Sequence, residues 1–346
     1  MRFSLLLSAV MVSLATSTAY ANSAFITLIG DGNRLPVNQT GHSNSLQAKI
    51  AANGMEARFT QQGNHNSQII GVQELRNNLD VSQVGDHNRM QIALPVSNTL
   101  KQSIQQGNHN AAYVKMEGRE NAIAFSQHGH AHQLNATFLG NGHTADISQQ
   151  GAGAGLTLQA EGKGQKVTAV QNGAQNPVHL TMRGESNTVH LNQGGSNAAS
   201  IAINGRSNTA RLNQSGGGNH LRGNIAGDGN YFYGEQYGNS NRMEVDLRGS
   251  GNFAELKQHG DANQMKLDLT GNGNGVRLGQ YGNGNQVNML VQGNGNQVNY
   301  AQVGNGLATM ADQVKIQGNG ITVDFQQKGN APSAQLFAPN GSLPKS

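Results

Sequence analysis

The sequence predicts an all-β fold: a two-sheet β-solenoid, amyloid-like in its stacking, of about 14 rungs, each a 22-residue strand–turn–strand unit. Three observations predict it. Glycine recurs every 11 residues through most of the chain, every second glycine sits in the frame Gln-x-Gly-x-x-Asn, and apolar and polar residues alternate between the glycines. A fixed period of this kind marks a repeat architecture in which each unit buries its apolar face only by stacking on its neighbours.

The frame begins at Gln39, Gln61, Gln83, Gln105, Gln127, Gln149, Gln171 and Gln193, in steps of 22. It continues, after one step of 21, at Gln214, Gln236, Gln258, Gln280 and Gln302, and a last copy starts at Gln327. The turn glycines of this frame and of the intervening half-repeat include Gly41, Gly63, Gly85, Gly107, Gly118, Gly129, Gly140, Gly184 and Gly205. The beat then runs on through Gly216, Gly238, Gly249, Gly260, Gly271, Gly282, Gly293 and Gly304. Gly-x-x-Asn reads as a tight turn: glycine takes positive φ without strain, and asparagine tolerates the left-handed region and bonds nearby backbone.

Between turns the period is 2. Asn285, Val287, Met289 and Val291 alternate with Gln286, Asn288 and Leu290, and Asn263, Met265, Leu267 and Leu269 with Gln264, Lys266 and Asp268. That is the pattern of a half-buried strand. An 11-residue repeat is also compatible with a helix. Each glycine would cost that helix about 1 kcal/mol, and the apolar residues do not fall at helical spacing. Stacking rungs about 4.8 Å apart gives a column on the order of 65 Å long. Inward positions then form ladders. A buried amide is costly alone but bonds its copies above and below. The amide ladder is expected from the frame's glutamines together with Asn66, Asn88, Asn110, Asn187, Asn208, Asn241, Asn263 and Asn285. The half-repeat that lacks Gln carries Met116, Met182, Ile203, Leu247 or Val291 instead, so the second sheet is mainly aliphatic.

The beat falters in places. Ala52, Glu74 and Val96 stand where glycine is due, and Gly54 and Gly71 suggest shifted turns there. An insertion is expected near residues 308–312. Pro332, Pro339 and Pro344 mark a tail; prolines cannot donate to a ladder, so the tail is expected to cover the last rung.

At the start, Arg2 precedes an apolar run from Phe3 to Ala15 and a small-residue stretch ending Ala19-Tyr20-Ala21. This reads as a secretory signal peptide with an A-x-A cleavage site. The expected organisation is a signal peptide at 1–21, the repeat array at 22–330 and a tail at 331–346. No later apolar run is long enough to span a membrane. With no cysteine, disulfides and thiol chemistry are excluded. The net charge of +4 is spread along the chain, which argues against a nucleic-acid partner.

With these residues in place, the chain resembles the curlin-repeat family of curli fibres, over residues from about 28 to about 330. The resemblance rests on the fourteen Gln frames behind a signal peptide. It implies a secreted subunit, major or nucleating, that assembles into amyloid fibres at the bacterial surface for adhesion and biofilm matrix. Its implied partners are copies of itself, a second curlin-like subunit, and an outer-membrane secretion pore with accessory factors. The chain departs from the family's pattern in its greater number of repeats, its aliphatic second half-repeat and the lack of a Gly-rich leader, where Phe25-Ile26-Thr27-Leu28-Ile29-Gly30 already reads as a strand.

No catalytic, cofactor or metal residue is expected. His128, His130 and His132 alternate around Gly129, but they lie at a turn, with His132 in the Asn position. His65, His87 and His109 read as a solvated stripe. Asp31 and Asp228 sit in Gly-Asp-Gly turns without the regular nine-residue spacing of calcium solenoids. Of Tyr231, Phe232 and Tyr233, Phe232 is expected in the core, and the alternative is an adhesive patch. Arg211, Lys266 and Asp268 are expected to act as gatekeepers against premature assembly. Two other classes stay open: a monomeric solenoid with a binding or ice-adsorbing face, and a solenoid enzyme acting on polysaccharide. Neither the uniform Thr-rich face that ice adsorption needs nor the clustered carboxylates that the enzyme needs is evident.

Overall fold

The computed structural model describes residues 10–14, 21–73, 79–95, 97–308, 314–329 and 337–338. Most of the expected signal segment, most of the tail, Glu74, Val96 and residues 309–312 lie outside the described residues. The chain divides into two compact units, Met1–Ala174 and Gln175–Ser346.

Each unit is a two-sheet β-solenoid of parallel strands. In the first, Leu35–Thr40, Ala57–Gln62, Leu79–Val84, Thr99–Asn108, Ala122–His130, Thr144–Ala152 and Lys166–Ala174 stack in that order in one sheet. The strands between them in sequence, such as Ala111–Glu117 and Gln133–Asn141, stack in the other. The second unit repeats the plan, with Tyr231–Tyr237, Phe253–His259 and Gly275–Tyr281 in one sheet and Arg242–Arg248 and Gln264–Thr270 in the other. Pairing is offset by one repeat, so identical frame positions meet: Gln127 lies beside Gln149, and Leu247 beside Leu269. Parallel strands need a long crossover, and here the strand of the opposite sheet is that crossover.

Alternate side chains of each strand are buried. Ile123 and Phe125 in one sheet, and Leu134, Ala136 and Phe138 in the other, are at most 3% exposed. Full burial of each large aliphatic or phenyl group stabilises the fold by about 1.5–3 kcal/mol.

The turn explains the glycine. Gly63 has φ 111°, and a methyl on it would lie 2.2 Å from the carbonyl oxygen of Gly85 in the next rung. Two constraints thus meet at this position: a backbone reserved for glycine and a neighbouring carbonyl too close for any side chain. The turn corrects one expectation. The residue in the left-handed region is the one before the frame's Asn (His65, φ 57°; Ser240, φ 57°), not the Asn itself. Asn66 and Asn241 instead point into the core and are 1% exposed.

The irregular positions resolve locally. Gly54 is not a shifted turn: it fills the ordinary left-handed position at φ 65°, with Ala52 in the place of the usual glycine. Nor is Gly71 a turn, since it lies inside the strand Ser67–Gln73. The extra residue in the following repeat is taken up as a bulge, where the register shifts between Ile123 and Ala124 opposite Leu100 and Gln102. Near the C-terminus Gln286 bridges Ala308, an offset of 22, whereas Met289 pairs with Val314, an offset of 25. The expected insertion therefore falls between Ala308 and Val314.

Candidate functional site: the amide columns and the surfaces around them

The frame's glutamine is the last inward residue of its strand, so it meets its copies at one-rung spacing. In the first unit Gln39 Nε2 donates to Gln61 Oε1 at 2.6 Å, and the column continues through Gln83, Gln105, Gln127 and Gln149 to Gln171 at 2.7–3.0 Å. In the second unit it runs from Gln193 through Gln214, Gln236, Gln258, Gln280 and Gln302 to Gln327 at 2.7–3.2 Å. The other amide hydrogen crosses the core to the head of the opposite strand. Gln61 Nε2 reaches Ser45 O at 3.0 Å, and Gln258 Nε2 reaches Arg242 O at 3.0 Å. Both donors are thus used, which removes the penalty of burying a primary amide.

The asparagines form two further columns, one at each corner of the rung, and the expected list mixed them. Asn66, Asn88 and Asn110 belong to the corner that follows the glutamine sheet, as do Asn241, Asn263 and Asn285 in the second unit. Asn187 and Asn208 belong to the opposite corner. In that second column Asn252 donates its backbone N–H and Nδ2 to Asn230 Oδ1 at 3.0 and 3.1 Å, and Nδ2 also to Gly271 O at 2.7 Å. Asn44, Asn98, Asn121, Asn197, Asn219, Asn230, Asn252, Asn274 and Asn296 are buried in the same way. Sequence reasoning missed them, although Asn44 and Asn219 lie in the glutamine frame and Asn121, Asn230, Asn252, Asn274 and Asn296 in the half-repeat Gly-x-x-Asn.

The columns have ends and breaks. Gln39 Oε1 is buried and has no hydrogen-bond partner. Met55 occupies an Asn position, and its N–H is taken by Asn33 Oδ1 at 3.0 Å. Leu307 and Ile321 end the two corner columns of the second unit: they donate their N–H groups to Asn285 and Asn296 Oδ1 at 2.9 Å, but their apolar side chains offer no acceptor to a further rung. In the first unit His132 and His143 replace asparagine in successive turns and are fully buried. His132 Nε2 faces His128 O at 3.1 Å and Nδ1 accepts the Ala154 N–H at 3.2 Å, so the proton sits on Nε2. His143 repeats this with Leu139 O at 3.3 Å and the Gln165 N–H at 3.2 Å. Burial holds both imidazoles below their ordinary value; carbonyl bonds oppose this at both, and the His128 and His130 charges add to it at His132.

No protein-family model matches the chain, and no curated protein matches it in sequence.

The fold is a β-solenoid compatible with curlin-type architecture and with a structural or adhesive role. Among the described residues no group of three or more histidine and carboxylate side chains is placed to hold a metal ion, and no helix is long and apolar enough to cross a membrane. Asp228 is engaged by Arg206, whose guanidinium bonds its Oδ2 at 2.9 and 3.2 Å and holds the carboxyl below its ordinary value. Asp31 takes its N–H to Asn53 Oδ1 at 2.8 Å in an exposed turn. Arg211 and Lys266 are exposed on the outer faces, and Lys266 lies 3.3 Å from Asp268.

Phe232 is in the core and fully buried. Two inward glycines make room for it: a methyl on Gly234 would stand 2.8 Å from Phe232 Cζ, and one on Gly223 would stand 3.3 Å from Cε1. Its neighbours face outwards and open a feature the sequence did not reveal. Tyr231 stacks on Phe253 at 5.4 Å, and Tyr233 donates to Glu235, which also holds His259 Nε2 at 2.7 Å. Burial, with the Glu235 bond, raises the Tyr233 phenol above its ordinary value. Lys257 sits over the Tyr233 ring at 5.6 Å and pairs with Glu255 at 2.7 Å, and Arg277 pairs with Glu255 at 3.3 Å. Beside this network a groove of about 410 Å³ is lined by Glu255, Lys257, Arg277, Gly279, Tyr281, Asn299 and Asp324, among others. These residues are one repeat apart and outward, so only the 22-residue offset applied to the polar positions would have found them.

Proposed function

We propose that this chain is a secreted structural β-solenoid of the bacterial cell exterior that acts through its outer surface as an adhesin module. The observation that supports this reading best is the contrast between interior and exterior in the second unit. The interior is committed to self-satisfying columns whose corner members end in Leu307 and Ile321, whereas the exterior carries the charged and aromatic groove around Lys257 and Tyr281. A groove of mixed charge with aromatic rims suits adhesion to a polar polymer or surface. The test is retention of purified protein, lacking residues 1–21, on polysaccharide and on cells. Lys257→Ala with Tyr281→Ala should weaken retention while the fold persists by circular dichroism. Unchanged retention would remove the groove from the reading, and turnover of the polysaccharide would replace it with an enzyme.

The second reading is a curli-type fibre subunit, either major or nucleating, and one observation favours it. Gln39 Oε1 is a buried acceptor without a donor, at the end of the amide column, where Leu14 of the strand Val10–Leu14 pairs beside it; removal of residues 1–21 as a signal peptide would bare this end. A donor from a second copy, or from a second curlin-like subunit, would satisfy it. In this reading export through an outer-membrane pore precedes assembly, and Arg211, Lys266 and Asp268 delay it. Dye binding and fibre diffraction on the seeded protein decide the matter: a monomer that stays soluble removes the fibre reading and leaves the adhesin intact.

A further inference from the structure

Histidine is distributed unevenly over the turns of the first unit. At the corner that follows the glutamine sheet, successive rungs present His65, His87 and His109 at the same left-handed position, with φ 57°, 58° and 60°. The next rung presents His130 one residue earlier in its turn. All four are exposed. The ring centroids are 4.8 Å apart for His65 and His87, 5.0 Å for His87 and His109, and 5.2 Å for His109 and His130. The first two pairs are stacked, and the third meets edge to face. Among the described residues no hydrogen bond involves the ring nitrogens of His65, His87 or His109.

Three features make this more than a solvated stripe. The backbone fixes each ring's origin, because the Asn below it is locked in a corner column: Asn66, Asn88 and Asn110 each bond the next rung's glycine carbonyl, at 2.6, 2.6 and 3.0 Å. The rungs fix the spacing between rings. The nitrogens keep free lone pairs, which is what a neutral imidazole needs to bind a metal. As the rings rest, they lie side by side and no three ligands converge. Rotation of two adjacent exposed side chains is enough to turn their nitrogens towards one ion.

We infer that this column is a binding strip for divalent transition-metal ions, each held by imidazoles of two adjacent rungs with water completing its shell. Imidazole selects zinc, copper and nickel over magnesium and calcium. Because His87 stacks beside a ring on each side, it belongs to two overlapping pairs. The strip is independent of whether the chain acts as an adhesin or forms fibres.

The probe is Ni²⁺ added alone to the full chain and followed by calorimetry, with Mg²⁺ as the reference ion. Replacement by asparagine keeps the turn, since asparagine accepts the left-handed region. The chain should bind Ni²⁺ and not Mg²⁺, and the combined His65→Asn, His87→Asn and His109→Asn variant should lose about tenfold or more in affinity. The pair His179→Asn and His190→Asn, exposed on strand faces outside the strip, should change nothing. Thermal unfolding without metal should be the same for all variants. Equal binding by the triple variant and the parent, or loss confined to the strand-face variant, would overturn the inference. So would an absence of Ni²⁺ binding by the parent chain.

Discussion

The corner columns of the two units differ. In the second unit Asn208, Asn230, Asn252, Asn274 and Asn296 follow one another without a break, and so do Asn197, Asn219, Asn241, Asn263 and Asn285 at the other corner. In the first unit the same positions hold Met55, His132, His143, Ala154 and Gln165 among the asparagines. The backbone path is the same in both. The difference teaches that the path is set by the glycine and the strand alternation, and that the corner side chain decides how firmly one rung is tied to the next. Asparagine ties with three hydrogen bonds, a neutral histidine keeps some of them, and alanine keeps only its backbone.

The largest effect should come from what the units share. Gly151→Ala and Gly238→Ala each place a methyl 2.1 Å from the next rung's carbonyl oxygen, at φ 110° and 111°. Each should lose about 3–5 kcal/mol, and equal losses would show that the path is common to both units. Hydrogen exchange around each turn is the suitable measurement, because a repeat array opens locally. Next, Asn252→Ala breaks the unbroken column. It removes the acceptor of the Asn274 N–H, held at 3.0 Å, and the donor to Gly271 O. A loss of about 2–3 kcal/mol in local protection is expected, and a loss near zero would mean the column adds nothing to the turn.

Much of this was legible in the sequence. The period gave the rung, the alternation gave the faces, and the glutamine frame led directly to one column. The corner columns were only partly legible, because asparagine was read as the left-handed residue, a role that belongs to its predecessor. That predecessor can be His65, Ser240 or Ala262, so its type carries no signal. The network of Glu235, Lys257, His259 and Arg277 was hidden for another reason. Its links between rungs, Glu235 to His259 and Glu255 to Arg277, join residues 24 and 22 apart and form only because the offset brings outward positions together.

A repair should be smaller than a break. Ala154→Asn in the first unit gives its amide the carbonyl of Gly173, 19 residues on, as Asn66 has that of Gly85. A gain of about 1 kcal/mol in local protection is expected, and a loss would mean the turn at Ala154 is too tight for an amide. The last prediction concerns acid. Burial depresses His132 and His143, so the stability they contribute is full above the ordinary imidazole range, near 6.5, and is lost as pH falls through their lower folded values. Protonation also removes the Nδ1 acceptor of the Ala154 and Gln165 N–H groups. Exchange at these two amides should rise below that range in the first unit, while Asn252 and Asn274 in the second stay protected. His132→Asn should abolish the change at Ala154; persistence of the change there would assign it to another group.

The columns also differ in sense. Glutamine amides donate towards the C-terminal rung, as Gln236 does to Gln258, whereas asparagine amides donate both ways, as Asn252 does back to Asn230 and on to Gly271. Aligned peptide dipoles in an α-helix sum to about half a charge at each end. Here Asn252 Oδ1 faces the next rung and Gln258 Oε1 the preceding one, so the two kinds of column do not add in one sense. Adding rungs therefore builds less electrical polarity than columns of one sense would, and salt should have little influence on how many rungs such an interior can sustain.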